Sequence, residues 1–131
     1  MHYYVADVPR GNGWGQPVES LPTGDPDLLR TTVRGPNASV LLIDSTTNEV
    51  PQIGGEYDSS REVPHPRFGT ATEYIFSASE GIPECNGAPC VNYQIENGQG
   101  GGWAVVAGGP SLALATEVAS TVARSVTDAD I

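Results

Sequence analysis

The stretch Cys90-Val-Asn-Tyr-Gln-Ile-Glu-Asn-Gly-Gln-Gly-Gly-Gly-Trp-Ala-Val-Val-Ala107 decides the fold of this chain. Val91, Tyr93 and Ile95 alternate with polar residues, which is typical of a strand with one buried face. The glycine-rich run that follows is turn chemistry, and residues 103–107 return the chain as a second apolar strand. The stretch therefore predicts an antiparallel hairpin.

Further strands are predicted on the N-terminal side of this hairpin. In residues 70–79, Thr72, Tyr74 and Phe76 share one face of an alternating pattern, so residues 72–107 predict a three-stranded meander. The apolar run at 38–43 lies between turn residues and predicts a central strand that is covered on both faces. Shorter β-like segments lie at residues 31–33 and around 62–63. The expected sheet has about five strands.

One helix is predicted near the C-terminal end. Pro110 or Ser111 marks its start, because both residue types favour the first positions of a helix. Apolar residues then recur at helical spacing on one face, and most of them are small, so the helix can lie close against a sheet. Those residues are Leu112, Ala115, Val118, Ala119, Val122 and Val126. The predicted fold class is α+β, an antiparallel sheet with a C-terminal helix packed on one face.

The remaining segments predict the domain organisation. Residues 1–30 contain many glycines and prolines and are expected to form an irregular N-terminal arm. Residues 31–126 are expected to form a single α+β domain, in which residues 44–69 are mostly loop. Residues 127–131 are expected to form a frayed tail.

Cys85 and Cys90 are the two cysteines of the chain, and the sequence between them is Asn-Gly-Ala-Pro. Asn-Gly favours a tight turn, which predicts a structural disulfide that closes a local loop. Free thiols, a redox pair and a metal site are the alternatives. Redox motifs usually place two residues between the sulfurs, and a zinc site would need further ligands from His2 or His65. A disulfide predicts an extracytoplasmic location, secreted or anchored at the cell surface.

The charge balance excludes some partners. The chain has 16 acidic and 6 basic residues, a formal net charge of -10, and every base is arginine. Nucleic acids and anionic lipid surfaces both need clustered basic residues, so neither is an expected partner. No apolar stretch is long enough to span a bilayer. We therefore expect membrane attachment only through an anchor outside this chain, and a protein or small ligand as the partner.

No catalytic motif or cofactor motif is found, and no cofactor is expected. The glycine run 98–102 is followed by a strand and not a helix, which disfavours a dinucleotide site, and a P-loop would need lysine. The oxygen ligands at Asp25/Asp27 and Asp44/Asn48/Glu49 lack the spacing of a calcium loop. Glu73 and Glu96 could serve as an acid–base pair, although solvated charges on the sheet are the simpler interpretation. His65, between two prolines, is expected in an exposed surface loop.

Aromatic residues in irregular segments offer another candidate site. They could form a recognition surface for a peptide or glycan, or they could fill the core of a loop-rich domain. The residues of this candidate surface are Tyr3, Tyr4, Trp14, Tyr57 and His65.

Residues 74–125 combine a strand, the Cys-x4-Cys loop, a second strand, a glycine-rich turn, a tryptophan-containing strand and a helix of small residues. This order resembles that of small secreted or membrane-anchored actinobacterial domains of unknown function, some of them lipoproteins similar to the Mog1/PsbP fold. The resemblance implies an antiparallel sheet with helices packed on it. It covers less than half of the chain and carries over no catalytic residue.

These observations predict a non-catalytic extracytoplasmic binding or sensing domain. One alternative is a small hydrolase-type enzyme whose site is assembled only in the fold, with a deep pocket lined by His65, Glu73 or Glu96. Another is an acidic protein–protein partner, such as an inhibitor or an immunity protein.

Overall fold

The computed structural model describes residues 4–20, 28–36, 38–45, 57–76, 89–97 and 101–128. In these residues the chain forms nine strands and one helix. Their bounds are β1 Tyr4–Val5, β2 Val18–Ser20, β3 Leu28–Arg34, β4 Ser39–Ser45, β5 Ser59–His65, β6 Gly69–Phe76, β7 Cys90–Asn97, β8 Gly101–Gly108, α1 Leu112–Arg124 and β9 Thr127–Asp128.

Seven strands form one antiparallel sheet in the order β2-β3-β4-β8-β7-β6-β5. The predicted antiparallel sheet with a C-terminal helix is confirmed, but the expected number of five strands is wrong. Strand β2 was not predicted, and β5 is longer than the short strand expected around residues 62–63. Both are edge strands. An edge strand pairs on one side, so β5 accommodates Pro64 and needs no strong apolar alternation.

The helix begins where the sequence predicts it. The Ser111 side chain caps the helix by accepting a hydrogen bond from the Leu114 backbone N–H at 3.2 Å. The helix packs against β7 and β8, and Ala115, Ala119 and Val122 of the predicted face are buried there, together with Ala123, which the prediction did not include. Small side chains let the helix axis approach the sheet closely, so α1 covers the centre of one sheet face.

Both faces of the sheet carry buried apolar side chains. The main core lies between α1 and the sheet and includes Val40, Leu42, Trp103 and Val105. A second buried cluster on the opposite face consists of Leu41, Ile43, Phe76, Cys90, Ala104 and Val106. Strand β4 lies between β3 and β8, which confirms the central strand predicted from its apolar run.

The two ends of the described chain pair with each other. Strand β1 pairs with β9 in a separate two-stranded sheet, in which Tyr4 lies opposite Asp128. The Asp7 backbone N–H also donates to the Ser125 hydroxyl at 2.8 Å. Part of the irregular arm therefore lies on the body. Thr127 and Asp128, expected in the frayed tail, form β9, because a partner at the start of the chain supplies their hydrogen bonds.

Candidate functional site

Three polar residues lie side by side across the strands β5, β6 and β7. Arg61 is the register partner of Glu73, and Glu73 is the register partner of Tyr93. Directly opposed residues on neighbouring strands project from the same face of a sheet. Tyr93 belongs to the core under α1, so this row of three side chains lies on the helix-covered face.

The Glu73 carboxylate lies between two hydrogen-bond donors. The Arg61 Nε–H donates to Glu73 Oε1 at 2.7 Å, and the Tyr93 hydroxyl donates to Glu73 Oε2. Glu73 is 1% exposed, whereas the Arg61 side chain is 69% exposed. The interpretation of Glu73 as a solvated sheet charge is therefore wrong. The alternating pattern of β6 could not show that the Arg61 guanidinium group covers the Glu73 carboxylate.

These contacts set the ionisation of all three groups. Burial acts to raise the pKa of Glu73, but the hydrogen bonds from Arg61 and Tyr93 and the Arg61 charge outweigh it, and the net pKa is lowered. The hydrogen bond to Glu73 raises the pKa of Arg61. Burial, followed by the bond to Glu73, raises the pKa of Tyr93. At neutral pH the row therefore contains a carboxylate, a guanidinium and a protonated phenol.

His65 ends β5 and is buried, which corrects the expectation of an exposed surface loop. Its Nε2 lies 2.8 Å from the Ala123 carbonyl oxygen near the end of α1. Its Nδ1 accepts hydrogen bonds from the backbone N–H groups of Arg67 and Phe68 at 3.1 and 3.2 Å. These partners assign the proton to Nε2. The flanking prolines favour extended backbone, and here that backbone is an edge strand whose last residue, His65, contacts the end of α1.

A small cleft connects these residues. Its volume is about 120 Å³, and it lies between the β5–β7 strands and the last turns of α1. Arg124, in the last turn of the helix, adds a second guanidinium group. The described residues that line it are Arg61, Val63, Pro64, His65, Ala71, Glu73, Tyr93, Ser120, Ala123 and Arg124.

The acid–base groups in this cleft are already occupied. His65 uses both ring nitrogens on backbone groups, and Glu73 uses both carboxylate oxygens on Arg61 and Tyr93. A general base needs a lone pair within reach of the substrate proton. The arrangement is better suited to holding charge in place, because the Nη groups of Arg61 are not used in its bond to Glu73.

The predicted aromatic surface is not brought together as one patch. Tyr4 is buried, contacts Phe68 with ring centroids 5.7 Å apart, and lies on the helix-covered side. Trp14 is half-buried against the same core. Tyr57 is 42% exposed and contacts Tyr74, whose ring packs on the opposite face of the sheet. Tyr3 lies outside the described residues.

Several other predicted features lie outside the described residues. Cys85 is not among the described residues, so its disulfide with the buried Cys90 stays a prediction. No free cysteine is found in the described part of the chain. Of the calcium candidates, Asp44 lies in β4, but its side chain and that of Glu96 are not described, and Asp25, Asp27, Asn48 and Glu49 lie outside the described residues. Among the described residues, no group of three or more His, Cys, Asp or Glu side chains could hold a metal ion.

In comparisons with protein families, curated proteins and solved structures, nothing matches this chain. In addition, no helix in the described segments combines the length and the apolar character needed to cross a bilayer.

Sequence reasoning listed Glu73 and His65 but missed Arg61, Tyr93 and Arg124. The alternation in β7 placed Tyr93 on an apolar face, where a tyrosine is usually a core residue. Nothing in the local pattern aligned β5 with β6, because that register depends on pairing between segments. The sequence signal that could have indicated this row was a charged residue in each of two neighbouring strands, Arg61 in β5 and Glu73 in β6.

Proposed function

We propose that the chain is a non-catalytic extracytoplasmic binding domain of a secreted, lipoprotein or membrane-anchored protein, and that the Arg61–Glu73 cleft is its ligand site. The observation that carries the proposal is the combination of two arginines at one cleft with acid–base groups that are already bonded. Such a site can recognise a ligand without transforming it.

The charges of the cleft favour an anion. Among the described lining residues, Arg61 and Arg124 are opposed by one carboxylate, Glu73, which leaves one excess positive charge. Arginine recognises carboxylates through paired N–H donors. Glu73 orients the Arg61 guanidinium through Nε, which reduces the entropy lost on binding.

The size and surroundings of the cleft further restrict the class of ligand that it can bind. A volume of about 120 Å³ holds a group of only a few non-hydrogen atoms, since one water occupies about 30 Å³ in the liquid. Val63, Ala71 and Ala123 supply apolar wall. The net charge of -10 repels polyanions at long range. The proposed ligand is therefore a singly charged carboxylate with a short apolar stem.

Nuclear magnetic resonance titration of the arginine Nε–H groups tests this site. Propionate is the probe, and propionamide is its neutral control. We expect propionate to shift the Arg61 Nε–H resonance and propionamide to leave it in place. Arg124→Gln should weaken propionate binding about tenfold, the equivalent of one charge-assisted hydrogen bond.

Arg10→Gln is the matched control, because Arg10 is exposed, carries the same charge and does not line the cleft. Propionate affinity should be unchanged in this variant. An equal loss in both variants would mean that propionate senses only the overall charge, and the absence of any Arg61 shift would remove the proposed site.

The hydrolase alternative has one point of support, since His65 and Glu73 do line the same cleft. Their hydrogen bonds weigh against it, because turnover would require breaking one of them. Clear hydrolysis of ester or glycoside substrates that is lost in Glu73→Gln would favour the enzyme over the binding domain.

The extracytoplasmic location rests on the predicted Cys85–Cys90 disulfide. Closing this six-residue loop is expected to stabilise the fold by about 2 kcal/mol. Alkylation of unreduced protein should modify neither cysteine, and reduction should lower the melting temperature. Two reactive thiols in the native protein would contradict the proposed compartment.

A further inference from the structure

A second cavity lies on the sheet face opposite α1. Its volume is about 240 Å³, and it is lined by Thr70, Thr72, Tyr74 and Gln94, with Ile95 at its edge. The pairing between β6 and β7 begins at Thr72 opposite Gln94, and the cavity lies where this ladder ends. Four of these five described residues carry a hydroxyl or amide group, and none of the five is charged.

Behind the cavity lies a buried amide pair. The Asn92 Nδ2 group donates to Gln94 Oε1 at 3.0 Å, and the two side chains are 1% and 9% exposed. Asn92 Oδ1 is buried and has no hydrogen-bond partner among the described residues. The bond to Asn92 fixes the orientation of Gln94 and leaves its Nε2 group unused by that bond. Asn92 does not line the cavity, so Gln94 is the member of this pair that a ligand in the cavity can reach.

Aromatic rings lie beside these polar groups. Tyr74, which lines the cavity, contacts Tyr57 edge-to-face with ring centroids 4.9 Å apart. Tyr57 is exposed and also contacts Phe76 at 6.4 Å. An exposed ring held by two others offers a rigid apolar surface that costs little entropy on binding.

We propose that this cavity, with the Tyr57–Tyr74 pair beside it, binds a neutral carbohydrate. Sugar hydroxyls both donate and accept hydrogen bonds, as do threonine hydroxyls and the glutamine amide. The C–H face of a sugar ring packs on an aromatic side chain while its hydroxyls bond to the neighbouring groups. The described lining residues are uncharged, which favours a neutral ligand.

A peptide fits these observations less well. Extended peptides usually bind by adding a strand to an open sheet edge. Strands β6 and β7 are both interior strands, so the lining side chains do not lie at a free edge of the sheet. Recognition here must depend mainly on side chains, which favours a hydroxyl-rich ligand.

Titration of ¹⁵N-labelled protein tests the proposal. The probes are glucose, N-acetylglucosamine and maltose, and the neutral tripeptide acetyl-Ala-Ala-Ala-amide represents the alternative. At sugar concentrations well above a millimolar Kd, we expect shifts at Thr72 and at the Gln94 side-chain amide. Thr72→Val should weaken the binding of the best sugar roughly fivefold, the loss of one hydrogen bond.

Two matched variants complete the experiment. Thr32 lies in β3 opposite Leu41, on the same sheet face but outside the cavity, and Thr32→Val should leave sugar affinity unchanged. Tyr57→Phe keeps the exposed ring and should bind sugar, whereas Tyr57→Ala should bind it several-fold more weakly. Valine suits a strand, so both threonine variants are expected to fold, and their amide spectra report this directly.

No shift with any of the three sugars would overturn the proposal. Shifts with the tripeptide and none with the sugars would do the same and would assign the cavity to peptides. Equal losses in Thr72→Val and Thr32→Val would place the sugar elsewhere. Because the cavity and the Arg61–Glu73 cleft share no residue, either proposal can fail without the other.

Discussion

Arg61 Nε lies 2.7 Å from Glu73 Oε1, although the Glu73 side chain is almost fully buried and most of the Arg61 side chain is exposed. The two residues are direct register partners, so this ion pair crosses from the edge strand β5 to the interior strand β6. The exposed partner remains hydrated while it covers the buried one. The pair thus anchors the edge strand and closes one wall of the cleft.

Glu73→Gln tests this pair as a source of stability. The neutral amide would keep the shape of the side chain, but its NH₂ group would replace one of the two acceptor oxygens and face either Arg61 or Tyr93, both of which donate to Glu73. We expect a loss of about 1–3 kcal/mol in the free energy of unfolding, measured in urea. Glu62→Gln, an exposed change in the neighbouring strand β5, should stay within about 0.5 kcal/mol of wild type.

The lowered pKa of Glu73 also predicts a pH dependence. Because the folded pKa lies below the ordinary 4.5, the carboxylate contributes its full stabilisation above that pH and loses it as the pH falls through the folded value. The stability difference between wild type and Glu73→Gln should therefore shrink in acid below pH 4.5. A difference that stays constant across this range would show that Glu73 does not titrate with a lowered pKa.

Tyr93→Phe removes the hydroxyl that donates to Glu73. A cost of about 1 kcal/mol is expected at neutral pH. Because burial raises the pKa of Tyr93 above its ordinary 10.0, wild type should lose stability as the pH rises beyond that value, and the phenylalanine variant should lose less. Parallel stability curves for the two proteins above pH 10.0 would contradict a raised pKa.

His65→Leu tests the link between β5 and the end of α1. The variant loses the hydrogen bond to the Ala123 carbonyl, which the Val126 backbone N–H also contacts at 3.1 Å. We expect faster amide hydrogen exchange at Val126 and a destabilisation of about 1–3 kcal/mol. Ala115, near the start of the helix, serves as the internal control. If the amides of Ala115 and Val126 exchange faster to the same degree, the variant destabilises the whole fold, and His65 does not specifically hold the end of α1.

Gly35→Ala tests the packing of Trp14. A Cβ at residue 35 would lie 2.6 Å from the Trp14 ring, closer than real Cβ contacts allow. Trp14 is also held by its backbone N–H, which donates to the Gly11 carbonyl oxygen at 2.9 Å. We expect a cost of about 1–3 kcal/mol by thermal unfolding, as for overpacking in a core.

Gly15→Ala is the matched glycine control, because its new Cβ would meet the Arg34 carbonyl oxygen at an ordinary 3.4 Å. Combining Gly35→Ala with Trp14→Ala should recover part of the loss, since the overlapping ring is gone. No recovery in the double variant would mean that the cost at residue 35 comes from the backbone and not from Trp14.

Local sequence patterns predicted the elements whose signal lies within a short window. The alternation around Tyr93, the apolar run of β4 and the Ser111 cap each depend on neighbours in sequence, and each was found where it was predicted. Strand β5 was largely missed, since an edge strand that pairs on one side needs little apolar pattern and tolerates Pro64. His65 ends this strand, and it was wrongly predicted in an exposed surface loop for the same reason.

The sequence by itself determined the antiparallel sheet, the position of the helix and the face that the helix buries, because periodicity and capping act over a few residues. Only the tertiary structure decided that Arg61, Glu73 and Tyr93 form one row, that His65 holds the end of α1, and that β1 pairs with β9. These relationships join segments up to the whole length of the chain apart. Their register is set by the packing of the complete sheet, and no local pattern encodes it.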